Sequence, residues 1–282
     1  MADMVKVILS LTLALSIAAV SACQGSKTEP ANKPANTTPA NTAATAASSA
    51  GEQKVTINSP DGLKLVGTFY PPNNPHAKAL LLLHQWQSDR HSYDDFAKQM
   101  QVKGFAVLSI DGRGFGESTR TADGMTVPPE RTDSAVKAML GDVGAAFEFL
   151  TKQKNVDASR VGIVGASYGS SLAIIYAADN PYVGAVALLS PGLNYFGNIP
   201  TDPAIKKYGD RPLLFIAADD DKESADAVRK LDPMGQDQFK HPQKIYTTGG
   251  HGTALLAVGA GDVLESFFTS AFDLANKQHV SL

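Results

Sequence analysis

Apolar and polar residues follow three regimes along this chain. The first is a single run. Val7 to Val20 carries Ile8, Leu9, Leu11, Leu13, Leu15 and Ile17 and no charge. That is about the length of a signal-peptide core and short for a membrane span, which needs roughly 20 apolar residues. The second regime, residues 24–52, has no hydrophobic period. It repeats Pro-Ala-Asn at Pro30, Pro34 and Pro39 and then runs into Ala, Thr and Ser. Such a segment cannot bury enough apolar surface to offset its ordering entropy, which predicts a disordered tether.

The third regime starts near Gln53 and alternates between two periods. Val55 to Asn58 and Leu63 to Tyr70 have strand character, and Pro60-Asp61-Gly62 between them predicts a hairpin turn. Ala79 to Leu83 and Phe105 to Ile110 are short continuous apolar runs, as expected of strands covered on both faces. A helix is predicted between them, from about Ser92 to Lys103, with Gly104 as its stop. Residues 111–132 have loop composition. Val136, Leu140, Val143, Phe147 and Leu150 recur at spacings of three and four, predicting a helix from Asp133 to about Lys154. Then follow strand Arg160 to Gly165, helix Tyr168 to Asn180, strand Val183 to Leu189 and a loop to about Asp210. Strand Pro212 to Ala217, helix 222–231, strand Lys244 to Thr247 and a last helix from about Asp262 to Lys277 complete the chain. Strands alternating with helices predict an α/β domain with a mostly parallel sheet, helices on both faces and an antiparallel N-terminal hairpin.

Composition changes this picture at one end. The chain has 282 residues, a formal net charge of −3 and no basic run, which argues against nucleic acid as a partner. Its one cysteine, Cys23, excludes an internal disulfide. Lys6 precedes the first apolar run, and Ser21, Ala22 and Cys23 follow it. Val20-Ser21-Ala22-Cys23 resembles the bacterial lipobox, which implies a signal peptide over 1–22 and a lipid-modified Cys23. Gln24 after the cysteine implies an outer-membrane address if the cell is Gram-negative. The tether over 23–52 would reach roughly 30 Å, leaving 53–282 as the folded domain.

Gly165-Ala166-Ser167-Tyr168-Gly169 carries the candidate chemistry. It fits G-x-S-x-G and stands where strand gives way to helix, so that a sharp turn would lift the serine Oγ clear of the sheet. Small residues on either side let strand and helix pass closely. A serine hydroxyl needs a base to become a nucleophile. After Ser167 the histidines are His241, His251 and His279. His251 stands in Gly249-Gly250-His251-Gly252 just past the last predicted strand, a loop suited to bringing an imidazole over the serine. A further segment, Asp111-Gly112-Arg113-Gly114-Phe115-Gly116-Glu117-Ser118, is read as architecture, with Asp111 and Arg113 bonding within the loop.

With that segment, residues 53–282 resemble the α/β-hydrolase superfamily, nearest to dienelactone-hydrolase-like and small serine esterase proteins. The resemblance implies the chain order serine, acid, histidine. The acid then falls in Asp219-Asp220-Asp221, after the strand ending at Ala217. The family's spacing favours Asp221, with Asp220 and then Asp219 as alternatives. The oxyanion hole implied is the amide of Tyr168 and one from the loop His84-Gln85-Trp86, at Trp86 or else Gln85. Many relatives have His-Gly where this chain has His84-Gln85. True dienelactone hydrolases place cysteine where Ser167 stands. The short stretch after Leu189 implies little or no lid, with Tyr195, Phe196, Ile199 and Tyr208 either an apolar lip or ordinary packing. The implied function is a serine carboxylesterase acting through an acyl-enzyme on a small or medium ester, with neither cofactor nor metal. Peptide hydrolysis and acyl transfer could use the same residues. The alternative is a non-catalytic surface lipoprotein or ligand-binding protein reusing the fold.

Overall fold

The computed structural model describes residues 51–232 and 242–279, with side chains as far as residue 273. The expected signal segment 1–22, Cys23, nearly all of the tether 23–52 and His241 lie outside the described residues, as does the side chain of His279.

The apolar runs become strands because both faces of each are covered. In β3 (Ala77–Leu83), Leu81 and Leu83 enter one core cluster while Leu80 and Leu82 enter another. The same alternation holds in β5 (Val156–Ala166), β6 (Val183–Leu189) and β9 (Leu213–Ala218). Each buried leucine contributes roughly 1.5–3 kcal/mol of apolar burial.

β1 (Gln53–Asn58), β2 (Lys64–Tyr70), β4 (Ala106–Ile110) and β10 (Gln243–Tyr246) complete the eight-stranded sheet, ordered β1-β2-β4-β3-β5-β6-β9-β10. β1 pairs antiparallel with β2 and β2 with β4; every other pair is parallel. Helices α1 (Asp94–Val102) and α6 (Ala260–His279) cover one face. Helices α2 (Asp133–Thr151), α3 (Tyr168–Asp179), α4 (Asp202–Tyr208) and α5 (Lys222–Leu231) cover the other.

Two readings need correction. The stretch from Leu189 to Asp210 is not plain loop: it holds the small hairpin β7 (Asn194–Tyr195) and β8 (Ile199–Pro200), then α4. At seven residues α4 is too short to display a helical stripe. Arg113 does not bond within its own loop. Its guanidinium grips Asp61 in the β1–β2 turn (2.7 and 3.0 Å) and Asp142 on α2 (2.9 and 2.8 Å). Burial pushes the Asp142 carboxyl up against the pull of Arg113, while the same guanidinium holds the more exposed Asp61 below the usual carboxylate range. Asp111 does bond locally, accepting from the Glu117 amide at 2.8 Å, and it also takes the Arg90 amide at 2.8 Å.

Register aligns the strand ends. Leu83 lies opposite Gly165, Ala166 opposite Leu189, Leu189 opposite Ile216, and Ala218 opposite Tyr246. The segments holding Trp86, Ser167, Ser190, Asp221 and His251 therefore all leave the same, carboxyl-terminal edge of the sheet, where open α/β sheets place their sites.

Candidate active site

Ser167 joins β5 to α3 with φ 54° and ψ −126°. A left-handed φ on a residue with a side chain costs of the order of 1–3 kcal/mol and persists only where the surroundings impose it. Here they do. The Ser167 amide donates to the Leu189 carbonyl (2.8 Å), and the Ser167 carbonyl accepts from the amide (2.8 Å) and Oγ (2.6 Å) of Ser170. A Cβ on Gly165 would stand 2.2 Å from the Gly169 oxygen, and one on Gly169 2.7 Å from the His84 oxygen. Strand, helix and the β3 loop thus meet at van der Waals distance, and only glycine fits at both positions.

The three consecutive aspartates divide their work. Asp219 pairs with Arg229 of α5. Asp220 accepts the amides of Gly249 (3.0 Å) and Gly250 (3.1 Å), and those bonds, the Gly249 amide first, hold its carboxyl below the usual range. Asp221 stands at the N-cap of α5, yet its side chain makes no cap bond. Its Oδ2 accepts instead from Nδ1 of His251 at 2.7 Å. That bond fixes the tautomer with the proton on Nδ1 and leaves Nε2 as the basic atom. The Asp221 side chain is 14% exposed and that of His251 45%, so the imidazole is open to solvent while its acid is sheltered.

The loop after His251 is tied from two sides. The Gly252 amide donates to Ser190 Oγ (2.9 Å) at the end of β6. The amide and hydroxyl of Thr253 donate to Gln85 Oε1 (3.3 and 3.0 Å). Sequence reasoning missed Ser190, whose carbonyl also accepts the Tyr195 hydroxyl at 2.8 Å. The signal available was its position, directly after a predicted strand at the sheet edge. Burial pushes the Tyr195 phenol up to about 12, partly offset by the Ser167 and Ser224 hydroxyls beside it. It is therefore a neutral hydroxyl next to the elbow serine. Of the four residues read as lip or packing, Tyr195 and Phe196 are half-buried near the site, while Ile199 and Tyr208 are core.

Tyr168 opens α3, so its amide lies in the first turn, where no carbonyl of the helix can reach it. Its ring meets that of Trp86 edge-on, with centroids 5.4 Å apart. The two residues expected to supply the oxyanion donors are thus neighbours. Trp86 also packs on Phe115 and Phe196 (4.7 and 4.8 Å), and the Arg131 guanidinium lies over both Trp86 and Phe196 (4.7 and 4.5 Å). Sequence reasoning did not single out Arg131. His84 is structural: Nε2 accepts the Gly112 amide (2.8 Å) and Nδ1 donates to the Gln85 carbonyl (2.7 Å). Burial pulls its imidazole down from the ordinary value, which keeps it neutral in that role.

Sheet order, helix placement and the elbow define an α/β-hydrolase. Residues 74–221 match the family model described as serine aminopeptidase, S33, and the chain belongs to that family. An uncharacterized protein of Mycobacterium tuberculosis, found in strains CDC 1551 and H37Rv, is 28% identical over 138 residues. That match takes in 49% of this chain and 44% of the relative, so it spans less than half the length of the curated relatives. Among solved structures, dienelactone hydrolase from Anabaena variabilis superposes with a TM-score of 0.59 at 20% identity, over 78% of this chain and 97% of its own. Acetyl xylan esterase 1 from Thermoanaerobacterium sp. gives 0.62 at 18%, over 78% and 83%. The α/β hydrolase GrgF from Penicillium sp. gives 0.64 at 12%, over 79% and 99%. At these identities the likeness is one of fold.

Proposed function

We propose that the protein is a serine hydrolase acting on small or medium carboxylic esters through an acyl-enzyme. The observation that carries this is the 2.7 Å bond from His251 Nδ1 to Asp221, at the sheet edge where Ser167 stands in a left-handed elbow. His251 Nε2 takes the Ser167 proton as Oγ bonds to the ester carbon. The amides of Tyr168 and Trp86 donate to the resulting oxyanion, the charge that preorganised donors stabilise most. The carbon–oxygen bond to the alcohol then breaks, and His251 returns the proton to the departing oxygen. Water, deprotonated by the same Nε2, attacks the acyl carbon; the acid leaves and Ser167 regains its proton.

The test is labelling of the full chain by a fluorophosphonate, beside Ser167→Ala, followed by a panel of nitrophenyl esters. Wild type should label and hydrolyse, and Ser167→Ala should do neither, with turnover down at least about a thousandfold. Absence of labelling in a folded wild type would overturn the reading. The family description favours a second reading, in which the same groups cleave amino-acid amides. Aminoacyl nitroanilides in the same panel separate the two.

We further propose export and lipid anchoring at Cys23, supported by Val20-Ser21-Ala22-Cys23 after an apolar run. No single described helix is long and apolar enough to cross a membrane. Cys23→Ser should shift the protein from the membrane fraction to the soluble one; an unchanged distribution would count against the anchor.

A further inference from the structure

The residue that departs from the His-Gly pattern of related hydrolases has a bonded role. Gln85 directly precedes Trp86 and its carbonyl is held by His84 (2.7 Å), so its backbone belongs to the expected oxyanion loop. Its side chain leaves that loop and takes two donors of Thr253, 168 residues away in sequence (3.3 and 3.0 Å). The space between them is shaped to suit. Gly252 has φ +64°, and a Cβ there would stand 3.0 Å from Gln85 Oε1. Thr253 is 8% exposed, so a lost partner would not be replaced freely by water. The loop is also held by Ser190 and Asp220.

We propose that Gln85 is a positioning residue that braces the oxyanion loop against the loop carrying His251, so that donors and base keep one geometry. Its part in catalysis rests on the serine-hydrolase reading; its part in holding the loop does not. A glycine at this position could accept nothing from Thr253. A glutamate could accept both bonds, but it would add a third carboxylate to a loop that Asp220 and Asp221 already contact. A neutral acceptor does the bracing without that charge.

The experiment compares wild type with Gln85→Ala, Gln85→Glu, Thr253→Val and the double variant Gln85→Ala/Thr253→Val, in the full chain. Three quantities are read: kcat and KM on a nitrophenyl ester, the fluorophosphonate labelling rate, and hydrogen exchange at the Gly252 and Thr253 amides. Gln85→Ala should lower kcat and labelling about tenfold to a hundredfold with KM little changed, as a loosened catalytic geometry does. Exchange at both amides should quicken while global stability holds. The double variant should be no worse than the poorer single one, since both cut the same link. Gln85→Glu, which can still accept both Thr253 bonds, should keep amide exchange close to wild type and lose less kcat than Gln85→Ala. Wild-type kcat and amide exchange in Gln85→Ala, or additive losses in the double variant, would overturn the brace. An unlabelled, inactive wild type would sink the serine reading instead, and amide exchange would still decide the brace.

Discussion

Ser167 and His251 leave the same edge of one sheet but are held there by different means. Around Ser167 the restraint is volume: Gly165, Gly169 and the end of β3 meet at distances that admit no added carbon, and Ser167, Ser170 and Leu189 close short bonds. Nearly all of it comes from β5, α3 and the strands beside them. Around His251 the buried Leu255 packs close to Gly249, but much of the restraint is polar and comes from afar: Asp220 and Asp221 after β9, Ser190 after β6, Gln85 after β3. Packing is stiff and fails all at once, whereas a set of hydrogen bonds can be lost one at a time. The nucleophile is therefore held chiefly by volume, and the base more by hydrogen bonds.

Substitutions on the two sides should separate these regimes. The largest effect is expected from Asp221→Asn, which keeps the shape but removes the charge and introduces an amide that can donate to His251 Nδ1 and reverse the imidazole tautomer. Turnover should drop by about 10³–10⁴ with a melting temperature near wild type. A loss of less than tenfold would move the acid's role to another residue. Next is Gly165→Ala, on the packed side. A methyl 2.2 Å from the Gly169 oxygen must displace backbone, so chemical denaturation should show a loss of about 3 kcal/mol or more, or no folded protein. A stable, active variant would show that the elbow is softer than its geometry. The smallest is Asp220→Ala, expected to slow turnover a few-fold. Because the Gly249 and Gly250 amides hold this carboxyl below 3.8, its support for the loop is complete above that pH. It is lost as pH falls through the lowered value. Protection of the loop amides, relative to the unprotected rate at the same pH, should thus fall in wild-type protein on acidification below about 4, and already be low in Asp220→Ala at neutral pH.

What the sequence made legible follows the same division. Strands β3 to β6 and the elbow could be read because their signals are local: apolar runs of strand length, then G-x-S-x-G at the junction with a helix. The assignment among Asp219, Asp220 and Asp221 came only from family spacing, since three adjacent carboxylates look alike until their partners are known. The bonds of Ser190 to Gly252 and of Gln85 to Thr253 left no trace, because partners 62 and 168 residues apart share no periodicity. Gln85 was visible only as a mismatch at a position where glycine was expected. Arg113 was misread for a related reason: its loop suggested a local anchor, whereas its partners Asp61 and Asp142 sit on separate elements.

Trp86 is the only tryptophan in the chain. It stands half-buried under the Arg131 guanidinium and against Phe115, Phe196 and Tyr168, the residue that follows Ser167. All indole emission from this protein therefore originates at one place, the rim of the candidate site. A ligand that displaces Arg131 or shields the ring should change intensity and colour with no background from elsewhere. The molecule carries its own optical reporter, able to follow binding and acylation by stopped flow with substrates that have no chromophore.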